Sequence, residues 1–292
     1  MIINTDINKD IWTKLLWTGV VTIRAVKSFI KGLGRKKKYK TESWKNSKST
    51  VYKIENSPSR NFSEDILRCM DWEGYLDKFG TLKIVDFGAG DARYYNFFSS
   101  ILGEGDFTYI AIERPGYQFG EWTNSKKNLV CINADLNGDL PVCIKEANVF
   151  ISMSVLEHLN SHIEFVNKYI SFVSTTSLHI HAVPRYWSIV NYAWHGCGHL
   201  NSSDETDLYN SLSDLPIDFK FKSTHGVGFF LILCHLIFIT PGQILFKYKL
   251  SKSSVKMRFG YIVFSKLFSL MDKMTGTFFA SFSVLKIDVD KK

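Results

Sequence analysis

The sequence contains few cysteines, and none of them are paired at a short spacing. The 292 residues include five cysteines, an odd number, and no CxxC motif. A chain of this length without close cysteine pairs is not expected to depend on a disulfide framework. We therefore predict reduced, mostly buried thiols of the kind found in intracellular proteins. The five are Cys69, Cys131, Cys143, Cys197 and Cys234.

The sequence also lacks an apolar run of about 20 residues, the length that a helix needs to cross a bilayer. Its longest apolar stretch, residues 229–239, has ten apolar residues out of eleven and is followed by Pro241 and Gly242. At the N-terminus no basic cluster precedes Lys9, and no small-residue cleavage site follows the first apolar stretch, which argues against a secretory signal peptide.

Positive charge is concentrated at the two ends of the chain. Residues 1–53 carry a net charge of +10, residues 54–223 a net charge of −9, and residues 224–292 a net charge of +7. A nucleic-acid enzyme more often carries its basic residues around the active site. Here they accompany apolar helical stretches, and this combination favours an anionic lipid surface over nucleic acid as the partner.

Residues 10–33 have the periodicity of an amphipathic helix, with apolar and basic residues on different faces. A basic run, residues 35–38, follows at once, and each such residue near an anionic leaflet adds about 1 kcal/mol of attraction. Trp12 and Trp17 suit the headgroup layer. The alternative is a helix packed on the rest of the protein. The apolar positions are Ile11, Leu15, Leu16, Val20, Ile23, Val26, Ile30 and Leu33.

A second apolar and basic segment, residues 224–277, interrupts the C-terminal part of the chain. Beyond Pro241 it mixes aromatic and basic side chains, such as Phe246, Lys247, Arg258 and Tyr261. We predict one or two helices lying in a membrane interface. A buried helical cap over the ligand site and a re-entrant hairpin are the alternatives.

The middle of the chain alternates short apolar strands with helices, which predicts a parallel, doubly wound α/β sheet. Residues 39–60 are polar and are interpreted as a linker. Two late strands, residues 217–222 and 278–287, are predicted to add an antiparallel edge hairpin, giving seven strands. The earlier five are predicted at residues 82–87, 107–112, 129–133, 149–153 and 177–181.

The strongest motif is Val-Asp-Phe-Gly-Ala-Gly-Asp at residues 85–91, where a strand meets a helix through a glycine-rich turn. Gly88 and Gly90 let the backbone bend sharply and let a ligand approach without a Cβ in the way. Glu113 ends the next strand, where a carboxylate can accept hydrogen bonds from both ribose hydroxyls. Asp135 follows the third strand and can accept from an adenine amino group.

These residues resemble the cofactor half of the class I S-adenosylmethionine-dependent methyltransferases, especially the type-11-like group. The matching pieces, in order, are VDFGAGD, AIERP, INADLNGDLP and ISMSVLEHL, within residues 82–181. The resemblance implies that the cofactor is S-adenosylmethionine. The third glycine of a dinucleotide fingerprint is Asp91 here, which fits a methyltransferase better than a nucleotide oxidoreductase, the alternative.

The resemblance also implies the roles of individual residues in holding the cofactor. Glu113 would bind the ribose hydroxyls, and Asp135 with Leu136 the adenine end. Ser152 and Met153 would line the sulfonium. The methionine and ribose parts would contact Asp86, Gly88, Ala89 and Gly90.

Histidines are the candidate general bases for deprotonating a hydroxyl acceptor. His158 follows the fourth strand in VLEHL, although a histidine that only orders the pocket is the alternative. The segment is similar to an ExxEH metal motif, but its first glutamate is Ser154, so we predict no metal. His181, in the loop after the fifth strand, and His195 are the other candidates.

The loop after the fifth strand leaves the edge of the sheet where open α/β folds bind ligands. We therefore predict that Arg185, Tyr186, Trp187 and His199 contact the acceptor. His195 and His199 have metal-like spacing, but two intervening glycines argue against the helix that such a site needs. His179 lies within the strand and is predicted to be a core residue.

Together these observations predict a methyltransferase at the inner face of a membrane, cytoplasmic and peripherally bound. Its acceptor is predicted to be a surface glycan or its lipid-linked precursor, because similar proteins with this core occur in such pathways. A lipid or quinone acceptor, and a non-catalytic membrane adaptor, are the alternatives. The predicted divisions are 1–53 (membrane segment and linker), 54–223 (cofactor core), 224–277 (insertion) and 278–292 (last strand and tail).

Overall fold

The computed structural model describes the sheet, its covering helices and a few positions in the two basic ends. Described residues are 37–44, 58–103, 105–185, 205–228, 230 and 280–291, with scattered positions within 19–30 and 264–274. The elements, in chain order, are β1 (Lys40–Ser43), α1 (Pro58–Arg68), α2 (Trp72–Phe79), β2 (Leu82–Phe87), α3 (Arg93–Ser99), β3 (Phe107–Glu113), β4 (Leu129–Asn133), β5 (Val149–Met153), α4 (His162–Phe172), β6 (Ser177–Pro184), α5 (Glu205–Ser213), β7 (Asp218–Gly228) and β8 (Ala280–Asp290).

The strands form one sheet in the order β1-β7-β8-β6-β5-β2-β3-β4. Strands β2 to β6 pair in parallel, whereas β8 is antiparallel to both β6 and β7. The predicted α/β fold with its late antiparallel hairpin is confirmed. The chain moves outward from β2 to β4 and then returns to place β5 on the other side of β2. This reversal of strand order marks the edge where open α/β sheets bind ligands.

An eighth strand, β1, extends the predicted seven-stranded sheet and lies within residues interpreted as a linker. It pairs in parallel with β7, so the hairpin is not at the edge of the sheet. Its sequence, KTES, has no apolar alternation from which a strand could be predicted. Instead, tertiary contacts hold it: the Glu42 carboxylate lies 2.6 Å from Lys222 Nζ and 2.8 Å from Lys40 Nζ.

The late hairpin is also longer than the sequence indicated. Strand β7 continues to Gly228, and β8 begins at Ala280. The excursion between them therefore covers residues 229–279 rather than 224–277. Among the described residues, no helix is both long and apolar enough to cross a membrane.

Two apolar layers cover the faces of the sheet. Within β2, Leu82 and Ile84 face the layer beneath α1, α2 and α3, whereas Val85 and Phe87 face the layer beneath α4 and α5. A strand covered on both faces is mostly apolar, and β2, with four apolar residues out of six, is recognisable in the sequence for this reason. Apolar side chains therefore cover both faces of the sheet, and polar side chains that could bind a ligand lie at the strand ends.

Candidate active site

The glycine turn after β2 has the backbone conformation that its sequence predicts. Gly88 has φ 67° and Gly90 has φ 53°, both in the left-handed region that favours glycine. A Cβ on Gly88 would lie 2.5 Å from Val155 Cγ2, so the close approach of the loop after β5 requires glycine. The turn is anchored to β3, because the N–H groups of Gly88 and Ala89 both donate to the Ile112 carbonyl (2.8 and 3.0 Å).

Glu113 lies directly against this turn. Its Oε2 accepts a hydrogen bond from the Gly90 N–H at 2.9 Å, and its Oε1 accepts from the Arg114 N–H at 3.1 Å. The carboxylate is half-buried, and each oxygen has capacity for a further donor. The structure therefore brings together the turn and the acid that were predicted to share the nucleoside, and leaves the acid able to accept from two hydroxyls.

Asp135 lies one strand further along the same edge. The register pairs Glu113 with Asn133, and the Ala134 N–H donates to the Glu113 carbonyl at 2.8 Å. The exposed Asp135 carboxylate accepts from the Asn137 N–H and amide at one oxygen, Oδ1 (2.9 and 3.2 Å). Leu136, half-buried, packs on the apolar layer below. The three strand ends therefore carry Gly88, Glu113 and Asp135 in adjacent positions.

Tyr117 is a residue of this site that the sequence did not reveal. Its hydroxyl donates to Asp91 Oδ1 at 2.6 Å, and the Asn133 amide donates to its carbonyl at 2.9 Å. The loop after β3 is thus tied both to the glycine turn and to the end of β4. The hydrogen bond to Asp91 raises the pKa of Tyr117 to about 12. Nothing in the local sequence around Tyr117 signals these contacts.

Asp86 lies beneath the turn rather than open to a ligand. Its side chain is 2% exposed, and the Tyr109 hydroxyl donates to its Oδ2 at 2.5 Å. Burial raises the pKa of Asp86 to about 7. Asp86 therefore supports the turn from below and has little exposed surface for the direct contact with the cofactor that the resemblance implied.

Two residues predicted at the site, Ser152 and His181, belong instead to the core. They are register partners on β5 and β6, fully buried, with Ser152 Oγ 2.8 Å from His181 Nδ1. The Tyr169 hydroxyl lies 2.6 Å from His181 Nε2, so both ring nitrogens are occupied. His181 was predicted at the end of the fifth strand, but β6 continues to Pro184, and this places His181 inside the strand, buried and without a free ring nitrogen to act as a base. Burial lowers the pKa of His181 to about 3.

The segment after β5 is bent sharply between the glycine turn and β6. Ser154 has φ 62°, and its N–H donates to the Ala182 carbonyl at 2.9 Å. The non-glycine residues with positive φ in the described chain are Ser154 and Ala92, and both adjoin this site. Such sparsely populated conformations concentrate at functional sites. Met153, half-buried, packs against the apolar layer beneath α1, α2 and α3.

A short 3-10 turn, Leu156–His158, follows and presents two contrasting ionisable groups. His158 is exposed, whereas Glu157 is 2% exposed and neither of its carboxylate oxygens has a hydrogen-bond partner. Burial raises the pKa of Glu157 to about 8, so it is protonated at neutral pH. Of the three histidines predicted as bases, His158 is the exposed one in the described structure, three residues after Val155, which approaches Gly88. His195 lies outside the described residues.

Arg185 does not lie where an acceptor-contacting residue would be expected. Its Nε donates to Glu205 at 3.2 Å, and both side chains are less than 10% exposed. The other predicted acceptor residues, Tyr186, Trp187 and His199, lie outside the described residues. His179 is buried as predicted, with its ring stacked on Phe150 at 5.0 Å.

The described residues hold no group of three or more side chains arranged to bind a metal ion. They do form a cavity of about 990 Å³ between α1, α2 and the strands β1, β7 and β8. None of the predicted site residues lines this cavity. It lies apart from the glycine turn, so the candidate site is defined by the strand ends and not by this cavity.

Comparison with known proteins finds similar solved structures. No model of a protein family matches the sequence, and no curated protein matches it. Solved structures that are similar to this chain at 10–13% identity include a SAM-dependent methyltransferase from Archaeoglobus fulgidus (13% identity, 78% of this chain and 95% of that chain, TM-score 0.44), the plantazolicin methyltransferase BpumL in complex with SAH (12%, 80% and 82%, 0.45), and the mycolic acid cyclopropane synthase CmaA1 complexed with SAH and CTAB (10%, 74% and 81%, 0.46).

The strand order defines the class of the domain. Omitting β1, the order is β4-β3-β2-β5-β6-β8-β7 with β8 antiparallel, which is the seven-stranded, mostly parallel sheet with an antiparallel edge hairpin that was predicted from the resemblance to class I S-adenosylmethionine-dependent methyltransferases. The chain has this fold, with β1 added at one edge.

Proposed function

We propose that the protein is an S-adenosylmethionine-dependent methyltransferase acting at a membrane surface. The observation that carries the cofactor assignment is the contact between the Gly90 N–H and Glu113, beside Asp135 on the next strand end. A nucleoside needs a close backbone approach, an acceptor for two ribose hydroxyls and an acceptor for the adenine amino group. Gly88, Glu113 and the second oxygen of Asp135 supply these three features.

When bound, the cofactor supplies an activated methyl group on a sulfonium, so the protein mainly positions the acceptor. The strained backbone at Ser154 directs the chain after β5 between the glycine turn and β6, and the exposed His158 is the candidate proton acceptor for a hydroxyl. The buried, neutral Glu157 adds no negative charge to the site at neutral pH.

Exposed apolar side chains support association with a membrane. At the N-terminal end, Val20, Ile23, Val26 and Ile30 are 42–60% exposed and recur at helical spacing. Helical residues of a basic surface segment that expose their apolar face are typical of interfacial helices. This exposure supports the membrane proposal over a helix that buries these residues against the domain.

The second basic segment shows the same feature. Phe264, Leu267, Leu270 and Met274 follow helical spacing and are 43–81% exposed. An interfacial helix in each basic end would hold the domain at the inner, cytoplasmic face, where anionic lipids attract basic residues. We further propose that the acceptor is a surface glycan or its lipid-linked precursor. The exposed apolar residues of this second segment also favour a lipid or quinone acceptor as the second candidate.

The cofactor assignment is tested by isothermal titration with S-adenosylmethionine. Saturable binding by the wild type and severe weakening in Glu113→Ala are expected. No binding by the wild type would favour the non-catalytic adaptor and would overturn the proposal.

The acceptor is tested by incubating the protein with methyl-labelled cofactor and total cell extract, then separating glycan, lipid and protein fractions. Label in the glycan or lipid-linked glycan fraction is expected, whereas label in free lipid or quinone supports the second candidate. Label in protein alone would contradict both.

Membrane association is tested by sedimentation with vesicles of anionic lipid. Wild-type protein is expected to sediment, and the deletion of residues 1–38 to release it. The matched control, Ile23→Ser with Ile30→Ser, keeps every basic residue and removes apolar area, so weaker binding of this variant would separate burial from charge. Retention of both variants would shift the anchor to residues 229–279, and failure of the wild type to bind would refute the proposal.

A further inference from the structure

A buried polar cluster surrounds Glu205, the first residue of α5. Its carboxylate accepts at Oε1 from Arg185 Nε (3.2 Å) and the Ser283 hydroxyl, and at Oε2 it lies 3.0 Å from His225 Nε2 and 3.3 Å from the Tyr39 hydroxyl. We call these five residues the Glu205 cluster. All five are 9% exposed or less. The sequence predicted that Arg185 contacts the acceptor, and that role does not explain why these five residues are brought together.

The cluster joins four separate parts of the fold at one edge of the sheet. Arg185 follows the end of β6, and His225 and Ser283 are register partners on β7 and β8. Tyr39 precedes β1. In the chain, Arg185 and Glu205 are the residues on either side of residues 186–204. One carboxylate therefore fixes the position of the strand ends β6, β7 and β8 relative to α5.

The arrangement favours positional precision over stability. Arg185 and the hydrogen bonds to Glu205 hold the pKa of that carboxyl well below its usual range, against the opposing effect of burial. A buried ion pair is on average no more stabilising than apolar residues of the same volume. The cluster instead fixes the orientation of the Glu205 side chain. Each carboxylate oxygen has two donors, and the planar guanidinium of arginine can bond to a carboxylate in few geometries.

The location of the cluster relative to the cofactor site follows from the sheet. The nucleoside-binding residues lie on β2, β3 and β4, and the segment after β5 lies between these strands and β6. A nucleoside held at the ends of β2, β3 and β4 would leave the segment after β5 and the end of β6 as the neighbouring side of the sheet edge, from which an acceptor could approach the methyl group. Arg185 lies three residues beyond Ala182, whose carbonyl binds Ser154, or about 10 Å along the strand.

We propose that Arg185 and Glu205 are positioning residues for methyl transfer, which fix the acceptor-side end of β6 without contacting the acceptor. The inference rests on the proposed function, since it needs a methyl acceptor on that side. A displacement of about 1 Å at such a position can cost about 100-fold in rate. Cofactor affinity depends on the other three strands and is not expected to change.

The test uses the full chain with Glu205→Asp, which keeps the charge but withdraws the carboxylate by one methylene, and Arg185→Lys. Glu146→Asp, in an exposed ion pair with Lys83, is the matched control. Limited trypsin digestion first reports on the ion pair, because Arg185 is the only Lys or Arg between Lys168 and Lys220. Faster cleavage after position 185 is expected in both cluster variants and not in the control.

Methyl transfer is then measured with labelled S-adenosylmethionine at saturation and increasing amounts of the extract fraction that accepts label from the wild type. Glu205→Asp is expected to lower the maximal rate at least tenfold, to change the cofactor Kd less than twofold, and to leave the half-saturating amount of acceptor fraction nearly unchanged. Arg185→Lys, which retains the charge, is expected to keep more of the rate than Arg185→Gln.

Two results would overturn the proposal. One is a maximal rate within twofold of the wild type although trypsin now cleaves after Arg185. The other is a cofactor Kd that weakens by the same factor as the rate. If Glu205→Asp does not fold, Ser283→Ala replaces it, and failure of that variant to fold would make the cluster a determinant of the fold alone. Failure of the wild type to bind cofactor would instead refute the proposed function.

Discussion

Two glutamates at opposite ends of the same sheet edge show how differently the molecule uses a carboxylate. Glu113 is half-buried, bound to two backbone N–H groups, and retains capacity for further donors. Glu205 is 4% exposed, and its two oxygens are fully occupied by side chains of the protein. Glu113 is arranged to meet a ligand, whereas Glu205 is arranged to hold the chain.

The comparison teaches that charge and location do not by themselves identify a ligand-binding residue. Glu113 lies at the end of β3, and Glu205, at the start of α5, is bonded to Arg185 at the end of β6, so both acids lie near strand ends where α/β folds bind ligands. The two acids differ in the number of hydrogen-bond partners that they already have. Glu113 can still accept a hydrogen bond from a ligand hydroxyl, whereas Glu205 cannot. Variants of each acid, and of the ion pairs, test this difference in remaining hydrogen-bond capacity.

Removing one partner from the buried cluster should have the largest effect. Arg185→Met leaves the Glu205 carboxylate buried without its cation, and such changes cost about 3–5 kcal/mol of unfolding free energy. Urea unfolding at pH 7 measures the loss. A loss below 1 kcal/mol would show that the ion pair contributes little and that the other three partners suffice to hold the Glu205 carboxylate. The double variant with Glu205→Leu should recover part of the stability, since the uncompensated charge is then gone.

Removing the ligand-facing carboxylate should affect binding rather than folding. Glu113→Ala is expected to weaken S-adenosylmethionine binding about 100-fold, or about 2.7 kcal/mol, because two hydroxyl hydrogen bonds to a charged group are lost. Isothermal titration measures the change, and Glu121→Ala on the nearby exposed turn is the control. Unchanged affinity would refute the ribose role of Glu113.

The buried Glu157 should make stability depend on pH in an unusual direction. Its pKa in the folded protein is about 8, whereas the pKa of a glutamate in an unfolded chain is about 4.3. Between these values the unfolded state binds fewer protons, so this residue makes stability fall as pH rises. Glu157→Gln removes the effect, and its stability relative to the wild type should increase by about 3.5 kcal/mol from pH 5 to pH 8. Urea unfolding at both pH values checks this; a difference independent of pH would contradict it.

The smallest effect is expected for an exposed ion pair. Glu146→Gln removes a partner of Lys83, in a pair whose side chains are 45% and 74% exposed. Surface pairs of this kind contribute about 0–1 kcal/mol and are screened by salt. A change below about 0.5 kcal/mol in urea unfolding is expected. A loss comparable to that of Arg185→Met would remove the distinction between buried and exposed pairs on which the comparison depends.

Much of the cofactor side could be predicted because its signals are local. The glycine turn at residues 88–90 follows a mostly apolar strand, Glu113 ends the next strand, and Asp135 lies two residues after the third. Once a parallel sheet is inferred, the ends of consecutive strands lie at one edge, and the three positions converge. Strands β2, β4 and β5 have the predicted bounds.

The acceptor side could not be predicted in the same way. His181 was predicted to end the fifth strand, where the following loop begins, whereas β6 continues through Pro184. Arg185 and Glu205 are twenty residues apart in the chain, and no local pattern indicates that they pair. The polar strand β1 also depends on a partner, Lys222, that lies far away in the sequence.

The alternation of strands and helices, the glycine turn and the acids at the strand ends can be inferred from the order of the residues. These features depend on periodicity and on the conformations of neighbouring residues in the chain. Which polar groups remain able to bind a ligand is set by tertiary contacts. Burial and saturation of hydrogen bonds arise from contacts between distant segments, so Glu113 and Glu205, equally acidic in the sequence, have opposite roles in the fold.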